Sequence, residues 1–133
     1  MRFVDTSYWV ALQYAKDMNH AQARALWSSD PGPLLMTNLV LGETWTFLRR
    51  RTGYQAAVAF LDRAARSARV EVTRIQTADE DDAWGWLQRH DERAYSFVDA
   101  TSFAVMRRHR LREALAFDGD FSAAGFTELR APG

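Results

Sequence analysis

Short apolar runs alternate with longer segments in which apolar residues recur at helical spacing along this chain. Such short runs are typical of buried strands, and the longer segments are typical of amphipathic helices. The predicted strands cover residues 2–4, 34–37, 70–75, 114–117 and 127–129. The predicted helices cover residues 6–13, 19–28, 38–51, a segment after Gly53, a segment that begins at Thr77, and residues 96–106. Because strands and helices alternate, the pattern predicts an α/β fold.

The segment after Gly53 carries one apolar stripe whose members recur at i, i+1, i+4, i+7, i+8 and i+11. The stripe consists of Ala57, Val58, Leu61, Ala64, Ala65 and Ala68. We expect this stripe to face the core and Arg63 and Arg66 to face solvent. In the next helix, Thr77 and Glu80 stand at the spacing of a capping box, which predicts that Thr77 begins that helix.

Four carboxylates stand at separated places where an α/β domain would favour apolar or neutral residues. They are Asp5, Glu43, Asp99 and Asp118, and each follows or interrupts an apolar run. Burying an unpaired ionised carboxylate is costly, so acids in such contexts lie at a surface cleft, pair with a cationic side chain, or bind a metal cation. A shared metal site explains all four with one hypothesis.

The predicted elements bring these acids to one edge of the sheet. In open parallel sheets, ligands bind beyond the carboxyl ends of the strands, and Asp5 and Asp118 each close a predicted strand. Glu43 lies about one turn into the helix after the second strand, and Asp99 lies in the first turn of its helix. Both can therefore face the same edge. Asp120, two residues beyond Asp118, is a further candidate ligand.

Carboxylate oxygens are the ligands that hard divalent cations prefer, and Mg²⁺ is usually held by one or two carboxylates, waters and substrate phosphate oxygens. The four acids therefore predict a site for Mg²⁺ or Mn²⁺. This favours phosphodiester hydrolysis, since a bound cation lowers the pKa of water and neutralises charge on the phosphate. The chain offers no rival chemistry: it has no cysteine, no Gly-rich phosphate loop and no Gly-x-Ser-x-Gly elbow, and its three histidines are far apart.

The composition agrees with one compact domain over residues 1–133. The chain is 47% hydrophobic and has no cysteine, which excludes a disulfide framework and a thiolate zinc site. It has no apolar run of signal-peptide or transmembrane type, so we expect a soluble cytoplasmic protein with no membrane partner. Its 17 basic residues balance its 17 acidic ones, and all the basic residues except Lys16 are arginine. Nucleic-acid binding therefore depends on how the arginines are distributed.

Each acid also has an interpretation that requires no metal. Asp5 can act only as the N-cap of the first helix, and Asp99 can close a capping arrangement with Ser96. Glu43 can pair with an arginine from a neighbouring helix, and residues 118–120 can form an ordinary turn. No single position decides between these interpretations, and only the convergence of all four acids favours the metal site.

Five blocks around the acids carry a family resemblance: residues 4–7, 37–43, 95–106, 116–121 and 124–126. Together they resemble a PIN-domain ribonuclease, specifically the VapC-like toxins of bacterial toxin–antitoxin pairs, with Phe-Val-Asp-Ala-Thr-Ser-Phe and Phe-Asp-x-Asp-Phe as the specific parts. The resemblance implies a three-layer α/β/α sandwich with a central, mainly parallel sheet. It also implies Mg²⁺ or Mn²⁺ as cofactor, endoribonuclease activity on an RNA substrate, homodimerisation, and a small antitoxin whose tail occupies the catalytic groove.

The resemblance maps the acidic positions of the family onto Asp5, Glu43, Asp99 and Asp118, with Asp120 as an auxiliary. We expect Asp5 and Asp99 to be the principal metal ligands, Asp118 to complete the cage, and Glu43 to position or deprotonate the attacking water. The supporting side chains are expected to be Thr6, Ser7, Asn38, Thr101 and Ser102.

Two arginine clusters follow acids along their helices and can hold RNA phosphates along the groove. The candidates are Arg49, Arg50, Arg107 and Arg108. The alternative is a solvated helix end, where cations complement the helix dipole. On another helix, Trp84 and Trp86 are two positions and thus about 200° apart, so both cannot face one core and one is a candidate for an interface.

Two other functions remain open from the sequence. A PIN-like module that binds RNA or protein without cutting would use the acids structurally, and a housekeeping nuclease would process RNA without an antitoxin. A phosphatase of the aspartate type is disfavoured because Asp5 has no second aspartate two residues later. A receiver domain is disfavoured because no acidic pair precedes a central phospho-acceptor strand.

Overall fold

The computed structural model describes residues 1–132, so that Gly133, the last residue of the predicted domain, lies outside the described part. Within it the strands are Arg2–Val4 (β1), Leu34–Thr37 (β2), Val70–Thr73 (β3), Glu113–Leu115 (β4) and Thr127–Glu128 (β5). The helices are Thr6–Gln13 (α1), His20–Ser28 (α2), Asn38–Arg51 (α3), Tyr54–Arg66 (α4), Thr77–Arg89 (α5), Phe97–Arg108 (α6) and Asp120–Ala123 (α7).

The strands form one five-stranded sheet in the order β3-β2-β1-β4-β5, and every neighbouring pair is parallel. Connections between parallel strands are right-handed, so the direction of each step decides which face its helices cover. The chain first steps outward from β1 through β2 to β3, which places α1 to α4 on one face. It then returns to β4 and β5, which places α5 to α7 on the other. The predicted α/β/α sandwich is confirmed.

The reversal of direction creates a crevice between β1 and β4. The two strands pair with Phe3 opposite Ala114 and Val4 opposite Leu115, but the chain leaves their carboxyl ends toward opposite faces of the sheet. Such a switch point is where open parallel sheets bind ligands. Asp5 follows β1 directly, so the topology places it at this crevice.

The core lies on both faces of the sheet and is rich in aromatic side chains. The rings of Trp9 and Phe60 meet at 5.4 Å on the α1–α4 face, and those of Phe103 and Phe121 meet at 4.9 Å on the other. All four are fully buried, and each such side chain stabilises the fold by about 2 kcal/mol or more. No helix within residues 1–132 is long and apolar enough to cross a membrane.

Several details of the predicted local structure differ from the fold, and strands β3 and β5 end at Thr73 and Glu128 rather than at residues 75 and 129. Strand β4 ends at Leu115 rather than at residue 117, and the short helix α7 was not predicted. The capping box of α5 is formed by Gln76 and Asp79 rather than by Thr77 and Glu80. The capping box is shifted by one residue because several polar side chains in a row satisfy the same local capping rule. The ends of elements are uncertain by one or two residues in any reading of local pattern.

The buried face of α4 also differs from the predicted stripe. Its buried residues are Ala57, Phe60 and Ala64, whereas Leu61 and Ala65 are exposed. The Phe60 ring packs on the buried Trp9 ring of α1 at 5.4 Å, so the side of α4 that carries Phe60 faces the core. Alanines have little apolar surface, so their spacing is a weak guide to the buried side of a helix.

Candidate active site and metal centre

A crevice of about 630 Å³ opens at the carboxyl ends of β1 and β4. The carboxylates that line it are Asp5, Asp17, Glu43, Asp99, Asp118 and Asp120. Within residues 1–132, no lysine, arginine or histidine lines the crevice. The elements around the switch point therefore concentrate negative charge there without an equal number of cations.

Asp5 lies at the base of the crevice, where it also caps α1. Its Oδ2 accepts hydrogen bonds from the Ser7 backbone N–H at 3.1 Å and from the Ser7 hydroxyl at 2.7 Å. The Ser7 oxygen in turn accepts a hydrogen bond from the Phe117 N–H at 2.9 Å. Ser7 thus links the start of α1 to the segment after β4 and orients the Asp5 carboxylate, which is only 2% exposed.

Asp99 likewise combines a capping role with a place in the crevice. The Ser96 N–H donates to Asp99 Oδ2 at 3.1 Å, and the Asp99 N–H donates to the Ser96 hydroxyl at 2.9 Å. This capping box, one of the alternatives considered from the sequence, is therefore present. It uses Oδ2 and leaves Oδ1 without a hydrogen-bond partner among residues 1–132, so capping and metal binding are compatible.

Asp118 and Asp120 come from the turn that leads into α7. The Asp120 N–H donates to Asp118 Oδ1 at 3.1 Å, and Gly119 between them has φ +83°, a left-handed conformation that favours glycine. Arg93 lies at the edge of the crevice, where its Nε donates to Asp120 Oδ1 at 2.9 Å and its Nη2 donates to the Asp118 carbonyl at 3.4 Å. The predicted turn is present, and it directs two acids toward one place.

Three acids come close enough to share one cation. Asp99, Asp118 and Asp120 each bring a carboxylate oxygen to within 4.8 Å of the others. Asp5 and Glu43 line the same crevice outside this group. Glu43 has no hydrogen-bond or ion-pair partner within residues 1–132, so pairing with an arginine of a neighbouring helix is not what holds it there. The assignment of ligands among these acids stays a prediction.

The crowding of acids raises several pKa values. Burial raises the pKa of Asp5 to about 8, and the charges of Asp118 and Asp99 add to this effect against the hydrogen bonds from Ser7. Desolvation, then the charges of Asp120, Asp99 and Glu128, raise the pKa of Asp118 to about 6. Burial also raises the pKa of Asp99, with the charges of Asp120 and Glu43 adding to it. All three shifts have the direction expected where anions lack a compensating cation.

The predicted supporting residues divide between two places. Thr6 and Ser7 line the crevice. Asn38 lies beside it, where its Oδ1 accepts a hydrogen bond from the Ile75 N–H at 2.9 Å. Thr101 and Ser102 are buried within α6 and do not line the crevice. The Thr101 hydroxyl donates to the Val98 carbonyl at 2.8 Å, so it supports its own helix.

The predicted RNA-binding arginines also differ in their surroundings. Arg107 donates to Asp82 at 2.9 Å, and Arg108 forms two hydrogen bonds to Asp79 at 2.8 and 2.9 Å. Both lie at the end of α6, about 12–14 Å along the helix axis from Asp99. By contrast, Arg49 and Arg50 have no acidic partner within 4.0 Å in residues 1–132. Arg49 lies over the Tyr54 ring at 5.8 Å.

Sequence reasoning missed two charged residues of the site. Asp17 lines the crevice from the loop between α1 and α2, and Arg93 reaches Asp120 from the loop between α5 and α6. Neither residue follows a strand or begins a helix, so no periodicity or capping rule indicated them.

The model of the PIN domain family matches residues 2–127. The chain belongs to the PIN-domain family. A curated relative of this PIN domain, the 23S rRNA-specific endonuclease VapC20 of Mycobacterium tuberculosis, is 58% identical over 133 residues, and the match covers 98% of each chain. The acidic crevice thus lies at the switch point of a PIN-domain fold.

Two solved structures share this fold. The crystal structure of M. tuberculosis VapC20, described as a sarcin-ricin loop cleaving toxin, has a TM-score of 0.92 at 56% identity, covering 98% of this chain and 99% of that one. A toxin–antitoxin complex from Klebsiella pneumoniae has a TM-score of 0.66 at 15% identity, covering 92% and 91% of the two chains. The second likeness concerns the fold alone.

Proposed function

We propose that this PIN domain, taken as residues 1–133, is a divalent-metal-dependent endoribonuclease that cleaves 23S rRNA as the toxin of a toxin–antitoxin pair. The observation that carries the proposal is the crevice in which six carboxylates meet without a lining cation. The substrate follows from the name of the M. tuberculosis relative at 58% identity, and the sarcin-ricin loop is the proposed region of cleavage by the same likeness. This assignment places the protein in the cytoplasm with the ribosomes.

The donor atoms in the crevice fit a hard divalent cation. The charged donors are all carboxylates, whose oxygens suit Mg²⁺ or Mn²⁺ and not a soft metal. Burial, with the charges of Asp118 and Asp99, raises the pKa of Asp5, and a bound cation would stabilise its ionised form. Asp99, Asp118 and Asp120 would hold the ion, with Asp5 completing the set directly or through water. When bound, the cation supplies positive charge against the phosphate and lowers the pKa of a water molecule.

The residues around the proposed metal site have separate roles. Ser7 keeps the Asp5 carboxylate oriented through two hydrogen bonds, and Ser96 does the same for Asp99. Glu43 is partly exposed and has no partner within the described residues, so its carboxylate is available to orient the attacking water and accept its proton. Arg93 holds Asp120 in place from the edge of the crevice.

Incubation of purified 23S rRNA with the protein in Mg²⁺ is expected to yield one dominant new 5′ end, located by primer extension. EDTA should abolish the product, and excess Mn²⁺ should restore it. A housekeeping nuclease would instead act on precursor RNAs and leave mature 23S rRNA intact. A non-catalytic module would yield no product in any metal, and either result would contradict the proposal.

The proposal includes two protein partners, a small antitoxin that inhibits cleavage and a second copy of this chain. Trp84 supports the homodimer, because it is 50% exposed and stacks on Phe97 at 4.3 Å, whereas Trp86 is 8% exposed. Large half-exposed aromatic rings of this kind are typical anchors of protein interfaces.

Trp84→Ser is expected to convert a dimer of twice 15.2 kDa into a monomer, as measured by light scattering after size-exclusion chromatography. Tyr54→Ser is the matched control, because it removes an exposed aromatic ring from a different helix, α4. It should leave the dimer intact. A wild-type protein that is monomeric at all concentrations tested would rule out this partner.

A further inference from the structure

A second cavity of about 840 Å³ adjoins the acidic crevice along α3. Glu43 and Phe47 line both cavities, so the two lie side by side. The second cavity, called here the α3 groove, is lined by residues of α3 together with Phe97 and Val98 at the start of α6. A polymer that extends from the acidic crevice past Glu43 and Phe47 would therefore reach the α3 groove.

The charge of the α3 groove is opposite to that of the crevice. Arg50 and Arg51 line it, and neither has an acidic partner within 4.0 Å in residues 1–132. Glu43 and Arg50 are seven positions apart on α3, and thus two turns and about 10 Å along one helix face. A chain of phosphates that leaves the cluster of acids therefore meets unpaired guanidinium groups within two helical turns.

Two aromatic side chains, Phe47 and Phe97, line the α3 groove. The Phe47 ring is 36% exposed, and the Arg51 guanidinium lies 4.9 Å from its centre. Phe97 presents a second ring, backed by Trp84 in a parallel stack. Aromatic rings and arginine planes beside a phosphate path are the features on which unpaired RNA bases stack.

We propose that the α3 groove holds a single-stranded stretch of the RNA substrate next to the scissile phosphate, with a base stacked on Phe47 and phosphates at Arg50 and Arg51. This inference rests on the proposed function, since it assumes that the acids of the crevice act on RNA. It adds the direction in which the RNA runs and the residues that bind it.

Electrostatics favour RNA over a protein segment as the occupant. The acids of the crevice repel polyanions, so affinity for RNA beyond the phosphate at the metal site has to come from cations close by, since phosphate contacts supply most of such affinity. Arg93 at the edge of the crevice is paired with Asp120, whereas the arginines that line the adjoining α3 groove have no acidic partner within residues 1–132. Arg107 and Arg108, at the far end of α6, are already paired with aspartates.

Phe47→Leu tests the stacking role without emptying the groove, because leucine keeps apolar volume and removes the ring. We expect it to raise the KM for 23S rRNA about tenfold, with kcat changed less than threefold, because a stacked base contributes to binding in both the ground state and the transition state. Phe47→Tyr should restore the wild-type KM. Leu61→Ala, at a position on α4 that is 37% exposed, is the matched control and should match the wild type.

The arginines are tested by the salt dependence of binding. We would measure the anisotropy of a fluorescein-labelled single-stranded RNA of mixed sequence between 50 and about 200 mM KCl. Removal of Arg50 and Arg51 together should reduce the slope of log Kd against log salt by about 0.7 for each arginine. Arg66→Ala, an exposed arginine in the last turn of α4, should leave the slope unchanged.

The outcomes separate this inference from the proposed function. Normal cleavage with an unchanged KM in Phe47→Leu would overturn the inference and leave the ribonuclease proposal standing. Loss of RNA affinity in Phe47→Leu with no cleavage by the wild type would support the α3 groove and contradict the nuclease. If Phe47→Leu instead changes the dimer to a monomer at unchanged RNA affinity, the α3 groove is an interface between copies and the inference is wrong.

Discussion

Asp99→Asn is expected to lower the rate of RNA cleavage at saturating Mg²⁺ by at least about a hundredfold without unfolding the protein. Asparagine keeps the oxygen that accepts the hydrogen bond from the Ser96 N–H, so the start of α6 stays capped. It removes one negative charge from the three acids whose oxygens lie within 4.8 Å of one another. Single-turnover rates on 23S rRNA measure the effect, and calorimetric titration with Mn²⁺ should show weaker binding.

Asp79→Asn is the matched control, because Asp79 occupies the same capping position on α5 and is also buried. Its Oδ2 accepts a hydrogen bond from the Gln76 N–H at 2.8 Å, but it pairs with Arg108 and does not line the crevice. This variant should lose stability and keep the cleavage rate and the Mn²⁺ affinity of the wild type. Equal cleavage by the two variants would mean that the acids are structural and that the protein binds RNA without cutting it.

The metal-free protein is expected to lose stability as the pH rises from 5 to 8. Burial, together with the charges of Asp118 and Asp99, raises the pKa of Asp5 from 3.8 to about 8. The folded state therefore holds a proton that the unfolded chain releases above pH 4. This proton stabilises the fold fully below pH 4, and its contribution is lost as the pH rises to about 8. Over the whole range from pH 4 to 8 the difference in the free energy of unfolding is on the order of several kcal/mol.

Asp118, whose pKa is raised to about 6 by desolvation and neighbouring acids, contributes in the same direction over the lower part of this range. Asp79 has the opposite sign: burial would raise its pKa, but the hydrogen bonds and charge of Arg108 lower it. Its stabilisation is lost only as the pH falls below the ordinary range of a carboxyl group, so it is constant above pH 5. The change in the free energy of unfolding between pH 5 and 8 therefore reports on the acids of the crevice.

Differential scanning fluorimetry in EDTA measures how the melting temperature depends on pH, and Asp5→Asn should abolish most of this dependence. At pH 8 the variant should melt on the order of 10 °C above the wild type, because asparagine keeps the capping oxygen without the buried charge. Saturating Mn²⁺ should raise the melting temperature of the wild type most at high pH, where Asp5 releases its proton to the site. A melting temperature that is flat or rising across this range in EDTA would contradict the raised pKa.

The starts of the helices were predictable because capping is a local interaction. Asp5, Thr37 and Ser96 each accept a hydrogen bond from an N–H two or three residues later, so their neighbours in sequence are sufficient to identify them. The same locality explains why the acid of the first strand was placed correctly at the crevice. Where several polar residues competed for the cap, as before α5, the rule named the wrong pair.

The buried face of α4 and the role of the arginines were not predictable in this way. An arginine is paired only if an acid of a neighbouring helix lies opposite it. The packing of the two helices decides this, and sequence spacing does not reveal it. Arg50 and Arg108 look alike in sequence, since each ends a helix that begins near an acid. In the fold, Arg50 faces an open groove and Arg108 is bound to Asp79.

The sequence by itself determined the alternation of strands and helices, and with it the edge of the sheet at which Asp5, Glu43, Asp99 and Asp118 lie. These features follow from hydrophobic periodicity and from hydrogen bonds between near neighbours. Only the tertiary structure decided that Asp120 joins Asp99 and Asp118 in the closest group, that Asp17 and Arg93 reach the crevice, and that Phe47 lies between the two cavities. Such distances join atoms from remote segments, and they depend on how whole elements pack, which no local pattern records.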